Sequence, residues 1–390
     1  MSKLDWALLI VTALVAISGY IEGFVLGACA TVGLLAGAAL GVWGVPKVLD
    51  NFSPSVSVSF AALVLVVLLA AIGRTLGAMI GTRVRNRLSW KPIRFLDALG
   101  GAALAAASVL IVAWVLGVAV SGARIPSVTS AVRGSQVLAK TDEVLPASAD
   151  RALQSFNDVV NTDLFPRFLD PFVPERIRET QPPDSAIARQ QPVREAYSRI
   201  AKVTGVASCS RGLEGSGFVY APQRVMTNAH VVAGVSSPQV EVNGQKHDAK
   251  VVVFDPETDI AVLYVKDLRA TPLPFDLAGK ADASAVVLGY PENGPFDAEP
   301  ARIRSEERLR GPDIYGDKTV TRDAFSIWAS VRPGNSGGPL LSSKGTVYGV
   351  VFAASVEDNR TGYVLTAQQV AADARTGTTA TQEVSTQSCT

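Results

Sequence analysis

The sequence predicts two architectures in one chain: a bundle of four membrane-spanning helices at the N-terminus and, after a connector, an all-β domain of two small barrels. Three observations carry this reading. Of the 71 charged residues (36 basic and 35 acidic), only 12 fall within residues 1–120, leaving 59 for the other 270. Long apolar stretches fill the first part, and short runs rich in Val, Ile, Phe and Tyr, separated by Gly, Pro, Asn and Asp, fill the last. At 390 residues the chain also exceeds one compact domain, and its 18% charged content lies below the quarter or so of a soluble globular protein. The expected division is therefore 1–121 for four transmembrane helices, 122–200 for an extracytoplasmic linker, and 201–390 for the β domain.

The spans come first. Residues 24–45, 60–80 and 99–120 have the length of about 20 apolar residues that a bilayer requires, and 6–21 is a shorter fourth. A cleaved signal peptide does not fit, because the basic lead is Lys3 alone and further spans follow. The loop between the third and fourth spans holds Arg83, Arg85, Arg87, Lys91 and Arg94 against Asp97, and by the positive-inside rule stays cytoplasmic. The fourth span then leads outward, so everything after residue 121 lies outside the cytoplasm. Gly33, Gly37 and Gly41 repeat GxxxG on one helical face, which allows backbones to approach closely. Whether that packing is within one chain or between chains is open. Arg74 either snorkels toward the basic loop or faces a polar interior; snorkelling is the preferred expectation.

In the linker, Pro166, Pro171, Pro174, Pro182, Pro183 and Pro192 break any long helix. Leu153, Phe156 and Val160 recur at helical spacing, so a short amphipathic helix is expected between residues 148 and 165. The polar segment 179–193 reads as exposed and open to proteolytic nicking, self-cleavage included.

Strands are expected at 217–220, 251–254, 260–265, 285–289, 347–352 and 363–366. A hydrolase built on a serine nucleophile needs a base that titrates near neutrality, and only His230 and His247 are available. His230 sits in TNAHVV after a strand hairpin, at the start of a short helical turn. His247 sits in polar NGQKHDAK and reads as a solvated hairpin residue. Ser336 in RPGNSGGPL is the nucleophile candidate, since the glycines permit a tight turn that converges the N–H groups of Gly334 and Ser336 into an oxyanion hole.

TNAHVV, TDIAVL and GNSGGP, in that order, resemble the trypsin-like serine proteases with the chymotrypsin fold, particularly the bacterial stress-protease branch. The resemblance covers about residues 200–375 and implies His230 as general base, Asp259 as its orienting carboxylate and Ser336 as nucleophile. Asp255 is the rival carboxylate; Asp259 is preferred because it directly precedes an apolar strand. Asn335 stands where digestive members carry an aspartate that pairs with a new N-terminus, so activation by that ion pair is not expected. With 54 residues after Ser336, a C-terminal PDZ domain does not fit.

Four spans, a linker and a PDZ-less protease domain together are similar to the MarP-type membrane-anchored serine proteases of actinobacteria, whose span region is similar to the colicin V production protein family. That resemblance implies a periplasmic enzyme of acid and oxidative stress resistance, acting on protein or peptide substrates of the cell envelope. In such an oxidising compartment Cys209 and Cys389, which bracket the β domain, are expected to pair, with free thiols or a redox-sensitive pair as the alternative. Cys29 reads as inert. The resemblance puts Ser330 at the floor of the S1 pocket and Phe352, Ala353 and Ala354 along one wall. With no acid at the floor, small or medium apolar P1 side chains are expected, and basic ones are not.

Other classes fit poorly. A net charge of +1 and the lack of a basic, aromatic stripe argue against nucleic acid. No metal-ligand spacing such as CxxC or HExxH occurs, so no metal or cofactor is expected. Membrane lipid is the expected surrounding of the spans. The competing functional class is a silent membrane scaffold or transport-associated protein whose protease-like domain only binds peptides.

Overall fold

A computed structural model describes residues 1–49, 56–88, 90–121, 126–146, 149 and 171–389. The chain folds as two units: Met1–Gly117 with Ser135–Val144, and Val118–Gly134 with the described residues from Leu145 onward. The amphipathic helix expected between 148 and 165 lies outside the described residues.

The first unit is helical: α1 Lys3–Glu22, α2 Phe24–Leu49, α3 Val56–Arg85, α4 Lys91–Ser121 and the short α6 Gln136–Val144. The first four are long and apolar enough to cross a membrane. Glycine decides how α2 and α3 pack. A Cβ on Gly33 would fall 2.2 Å from the Gly73 carbonyl oxygen, and one on Gly37 would fall 2.3 Å from that of Leu69. The GxxxG face therefore seats α3 of the same chain, backbone against backbone, where dispersion must replace the hydrophobic effect. Gly19 of α1 meets the Gly101 carbonyl of α4 at a comparable 2.4 Å. Arg74 is exposed on the outer side of α3, not turned into the bundle.

Polar groups fasten the helix ends. Asp97 on α4 accepts the Val25 N–H at the start of α2 (2.8 Å) and pairs with Arg85 Nε at the end of α3 (2.9 Å), so one carboxylate caps one helix and neutralises a charge on another. At the other end, Ser2 and Asp5 form a capping box on α1. Asp5 Oδ1 also accepts the Ser135 hydroxyl at 2.6 Å, and Trp114 Nε1 donates to Asp142 at 2.7 Å, which docks α6 on α1 and α4.

The second unit is all-β at its centre. Its first sheet has the order β5-β4-β1-β2-β3-β7-β6, made of β1 Ile200–Val206, β2 Gly212–Ala221, β3 Arg224–Thr227, β4 Gln239–Val242, β5 Gln245–Asp248, β6 Lys250–Asp255 and β7 Ile260–Tyr264. The second is a closed barrel, β10-β13-β12-β11-β8-β9, made of β8 Ser284–Gly289, β9 Asp297–Pro312, β10 Thr319–Trp328, β11 Pro339–Ser342, β12 Val347–Ala354 and β13 Thr361–Thr366. Closure leaves that sheet without an exposed edge. One apolar cluster, including Phe218, Met226, Ile260, Leu288, Val350 and Leu365, joins residues of both sheets, so the two bodies share a core.

Residues 118–134 and 171–196 pack onto this domain. Arg133, at the end of helix α5 Pro126–Arg133, is buried and pairs with Glu357 at 2.9 Å while donating to the Val173 carbonyl at 2.7 Å. Tyr363 OH donates to Glu175 at 2.7 Å, and the Arg178 and Arg304 guanidinium groups each donate to the other residue's carbonyl (3.0 and 2.7 Å). Residues 184–186 are exposed, whereas Ile187 and Val193 are buried in the core.

At the C-terminus, helix Ala371–Thr379 lies on the first sheet, where Arg224 donates to the carbonyls of Gly377 and Ala380 (both 2.7 Å). The tail continues to a Cys209–Cys389 disulfide. Tyr315 OH, on the turn between β9 and β10, donates to the Thr386 and Ser388 carbonyls, so the tail touches both sheets. Cys29 is a free thiol among the described residues.

Candidate active site

The β2–β3 hairpin ends at Thr227, and Asn228 then opens the four-residue helix Ala229–Val232 that carries His230. Across from it, the β6–β7 turn ends on Asp259, a fully buried residue with left-handed φ of +64°. The Asn228 amide donates to the Asp259 carbonyl at 2.8 Å, tying this turn to the start of the helix. The two Asp259 oxygens receive the His230 backbone N–H (3.0 Å) and its ring Nδ1 (2.8 Å to Oδ2). A carboxylate at Nδ1 places the proton there, which leaves Nε2 as the basic nitrogen. Asp255 serves the turn instead, its Oδ1 accepting the N–H groups of Glu257 and Thr258.

Ser336 comes to the same place through β2. A Cβ on Gly215 would lie 2.6 Å from the Val231 side chain and 3.0 Å from the Ser336 carbonyl, so this glycine separates the histidine helix from the serine loop with no room to spare. The neighbouring Ser216 is fully buried and binds the loop at two points. Its N–H donates to the Ser336 carbonyl (2.8 Å), and its hydroxyl donates to the Gly334 carbonyl (2.6 Å) while accepting the Tyr290 N–H. The loop itself turns on Gly334 and Gly337, both at positive φ (+88° and +83°).

The orientation of one peptide plane matters most. The Pro333 carbonyl accepts the Glu292 N–H at 2.7 Å. In a trans peptide the C=O and the following N–H point in opposite directions, so this bond turns the Gly334 N–H away from Glu292. Among the described residues no acceptor takes up the N–H of Gly334 or of Ser336. Glu292 and Asn293 both hold left-handed backbone (φ +55° and +54°), strain located where the turn presents that donor. Asn335 is buried and accepts the Arg332 N–H, a local closure of the loop, and Arg332 also pairs with Asp297 on β9.

The expected substrate-pocket residues are brought together by β13. Gly362 pairs with Ala354 of β12, and its own Cβ position lies 2.3 Å from Val331, next to Ser330. Phe352 is wholly buried and gives its side chain to the core. Ser330 is exposed, and its N–H donates to Glu299 of β9 at 3.3 Å. That carboxylate is 31 residues away in sequence and could not be found by reading around the nucleophile. His247 is half-buried on edge strand β5, three residues beyond the turn at Gly244. No cluster of His, Cys, Asp and Glu able to hold a metal occurs among the described residues.

A family model described as a trypsin-like peptidase domain matches residues 215–350, and one described as colicin V production protein matches residues 4–146. Serine protease Rv3671c of Mycobacterium tuberculosis H37Rv is 40% identical over 391 residues, spanning 99% of this chain and 98% of that one. The chain belongs to this family of membrane-attached, trypsin-like serine proteases. The active form of the Rv3671c protease superimposes with a TM-score of 0.54 at 46% identity, covering 57% of this protease and 98% of that chain. Serine protease Do-like HtrA of Lactococcus lactis is 33% identical over 165 residues, 38% of this protease and 40% of that protein. The protease is thus a membrane protein whose hydrolytic domain has the chymotrypsin-like fold.

Three structural supports of the site were not singled out in the sequence. Ser216 was visible only as part of GSGF, and Glu292 and Asp297 carry no motif. Their roles come from backbone geometry and from contacts between distant strands.

Proposed function

We propose that the protease is an envelope endopeptidase whose β domain faces the periplasmic side of the inner membrane. Ser336 Oγ attacks the substrate carbonyl, His230 Nε2 takes its proton and returns it to the leaving amine, and the N–H groups of Gly334 and Ser336 hold the oxyanion. Asp259 keeps the Nδ1–H tautomer and stabilises the imidazolium. Water then resolves the acyl-enzyme by the same proton route. The observation that carries this reading is the two-point contact of Asp259 with the His230 ring and backbone, beside a serine loop with two unclaimed N–H groups.

The arginine-rich stretch Arg83–Arg94 supports a cytoplasmic loop and an outward β domain, and reporter fusions after residues 88 and 389 test that orientation. Cytoplasmic signal from the second would sink it. The likeness to the MarP-type proteases supports a part in acid and oxidative stress resistance, tested by survival of a deletion strain at low pH and in peroxide. Substrates would be envelope proteins, with the exposed linker segment 184–186 open to self-cleavage. Small or medium apolar P1 residues remain the proposed preference because Ser330 itself brings no charge; the nearby Glu299 carboxylate, which accepts its N–H, would instead favour a basic P1, so basic peptides belong in the test.

A fluorophosphonate probe tests the chemistry. Full-length chain in detergent should label, and Ser336→Ala should abolish both labelling and any clipping of the linker. A peptide panel on the same preparation should favour apolar P1. Folded wild-type chain that takes up no probe would refute the proposal.

A further inference from the structure

The β6–β7 turn that presents Asp259 is clamped from the other sheet. Ile314, in the turn between β9 and β10, donates its N–H to the Pro256 carbonyl (3.2 Å), and Lys318 of the same turn pairs with Glu257. Beneath them lies Arg322, on β10. Its side chain is 1% exposed; Nε donates to the Glu257 carbonyl at 2.8 Å and Nη1 to the Pro312 carbonyl at 3.1 Å. One side chain of the second sheet therefore holds a backbone carbonyl two residues before Asp259 and, with its other nitrogen, a carbonyl of its own hairpin.

Three facts argue that this arrangement does more than fill space. Asp259 holds left-handed backbone, a conformation that residues with a Cβ adopt sparingly and that an Asp keeps where local contacts hold its turn. That turn belongs to the first sheet, while its deepest anchor comes from the second. Finally, burial lowers the Arg322 pKa while the carboxylates of Asp259, Asp313 and Asp255 act against that fall, which puts the guanidinium within electrostatic reach of the carboxylate that serves His230. Burying a charge is tolerated only where it is paired and hydrogen-bonded.

We infer that Arg322 is a positioning residue for the Asp259–His230 pair, locking the β6–β7 turn so that the Asp259 carboxylate stays correctly aimed. This rests on the assignment of His230 and Asp259 proposed above. The electrostatic part has a definite sign. A fixed cation near the pair disfavours a second positive charge there, so removing it moves the acid limb of kcat/KM to higher pH. The charged and titratable groups around Arg322 are Asp255, Glu257 and Asp259 on the turn, Asp313 and Lys318 on the hairpin, and His230 across from Asp259. Asp373 on the C-terminal helix also interacts with Asp255. These stay in place in the variants below.

The experiment compares full-length wild type, Arg322→Gln and Arg322→Lys in detergent, with active sites counted by fluorophosphonate titration. Per titrated site, Arg322→Gln should lose about tenfold or more in kcat, hold KM within about twofold, and shift the acid limb upward by about half a pH unit. Arg322→Lys keeps the charge but cannot bridge both carbonyls, so it should lose kcat while its acid limb stays at the wild-type position. Wild-type kcat and an unmoved acid limb in Arg322→Gln would overturn the inference. If the Gln variant does not fold, the Lys variant decides: reduced kcat per site supports the role, and wild-type kcat per site rejects it. Wild type that fails to label at Ser336 would instead bring down the underlying assignment of the catalytic groups.

Discussion

Asp373 offers a test of the second unit's electrostatics that needs no substrate. It lies in the first turn of the C-terminal helix, where the helix dipole ordinarily favours a carboxylate. Burial nevertheless pushes its pKa up from 3.8 to about 6, with the Asp255 carboxylate adding to the rise. A raised carboxylate pKa means that the native state holds the proton more tightly than the unfolded chain. The contribution of this group is therefore fully favourable below about pH 4 and is lost as pH rises through about 6. Two pH units correspond to a ceiling of about 3 kcal/mol, and partial exposure to water should bring the realised effect to about 1–2 kcal/mol. Asp373→Asn removes the titration. The difference in stability between variant and wild type should be near its baseline at about pH 4 and grow by about 1–2 kcal/mol in favour of the variant at about pH 7.5. Urea unfolding of the full chain in detergent, followed by tryptophan fluorescence at about pH 4, 5.5 and 7.5, measures this. A variant whose offset from wild type is the same at all three values would refute the reasoning.

Two further outcomes follow from the active site. Asp259→Asn should keep the fold but offer an amide where His230 needs an acceptor, lowering kcat by about three to four orders of magnitude at neutral pH, read by peptide hydrolysis; a loss under about tenfold would contradict the assigned role. Gly334→Ala would place a methyl 2.5 Å from the Tyr290 carbonyl at a φ of +88°, displacing the N–H proposed to hold the oxyanion. It should cost about a hundredfold in kcat with KM nearly unchanged, and a matching rise in KM instead would point to substrate binding.

The helical region and the chemistry-bearing loops were legible in the sequence because each rests on local chemistry. Spanning length shows as uninterrupted apolar residues, and GNSGGP announces a turn that only glycine can make. The limits arise where meaning depends on distant partners. Arg322 reads as an ordinary strand charge in TVTRDAF, and only the fold puts its guanidinium under the turn of Asp259. Asp255 and Asp259 are both acids beside one strand; Asp255 commits its oxygen to two N–H groups of its own turn, a distinction of backbone geometry. The connector showed prolines and polarity, yet Glu175 and Arg133 pack onto the β domain through Tyr363 and Glu357, contacts that span 188 and 224 residues.

The seam of Gly33, Gly37, Gly73 and Gly77 has a consequence for how copies of this protein could meet. Those small residues already face one another inside a single polypeptide at distances that leave no space for a methyl group. A neighbouring molecule in the bilayer would have to find a different surface, one studded with bulky side chains such as Trp6, Leu14 and Leu116. Such a surface interlocks by shape and not by close main-chain approach. Enlarging a seam glycine should therefore pry apart one protomer's own helices before it affects any association between protomers.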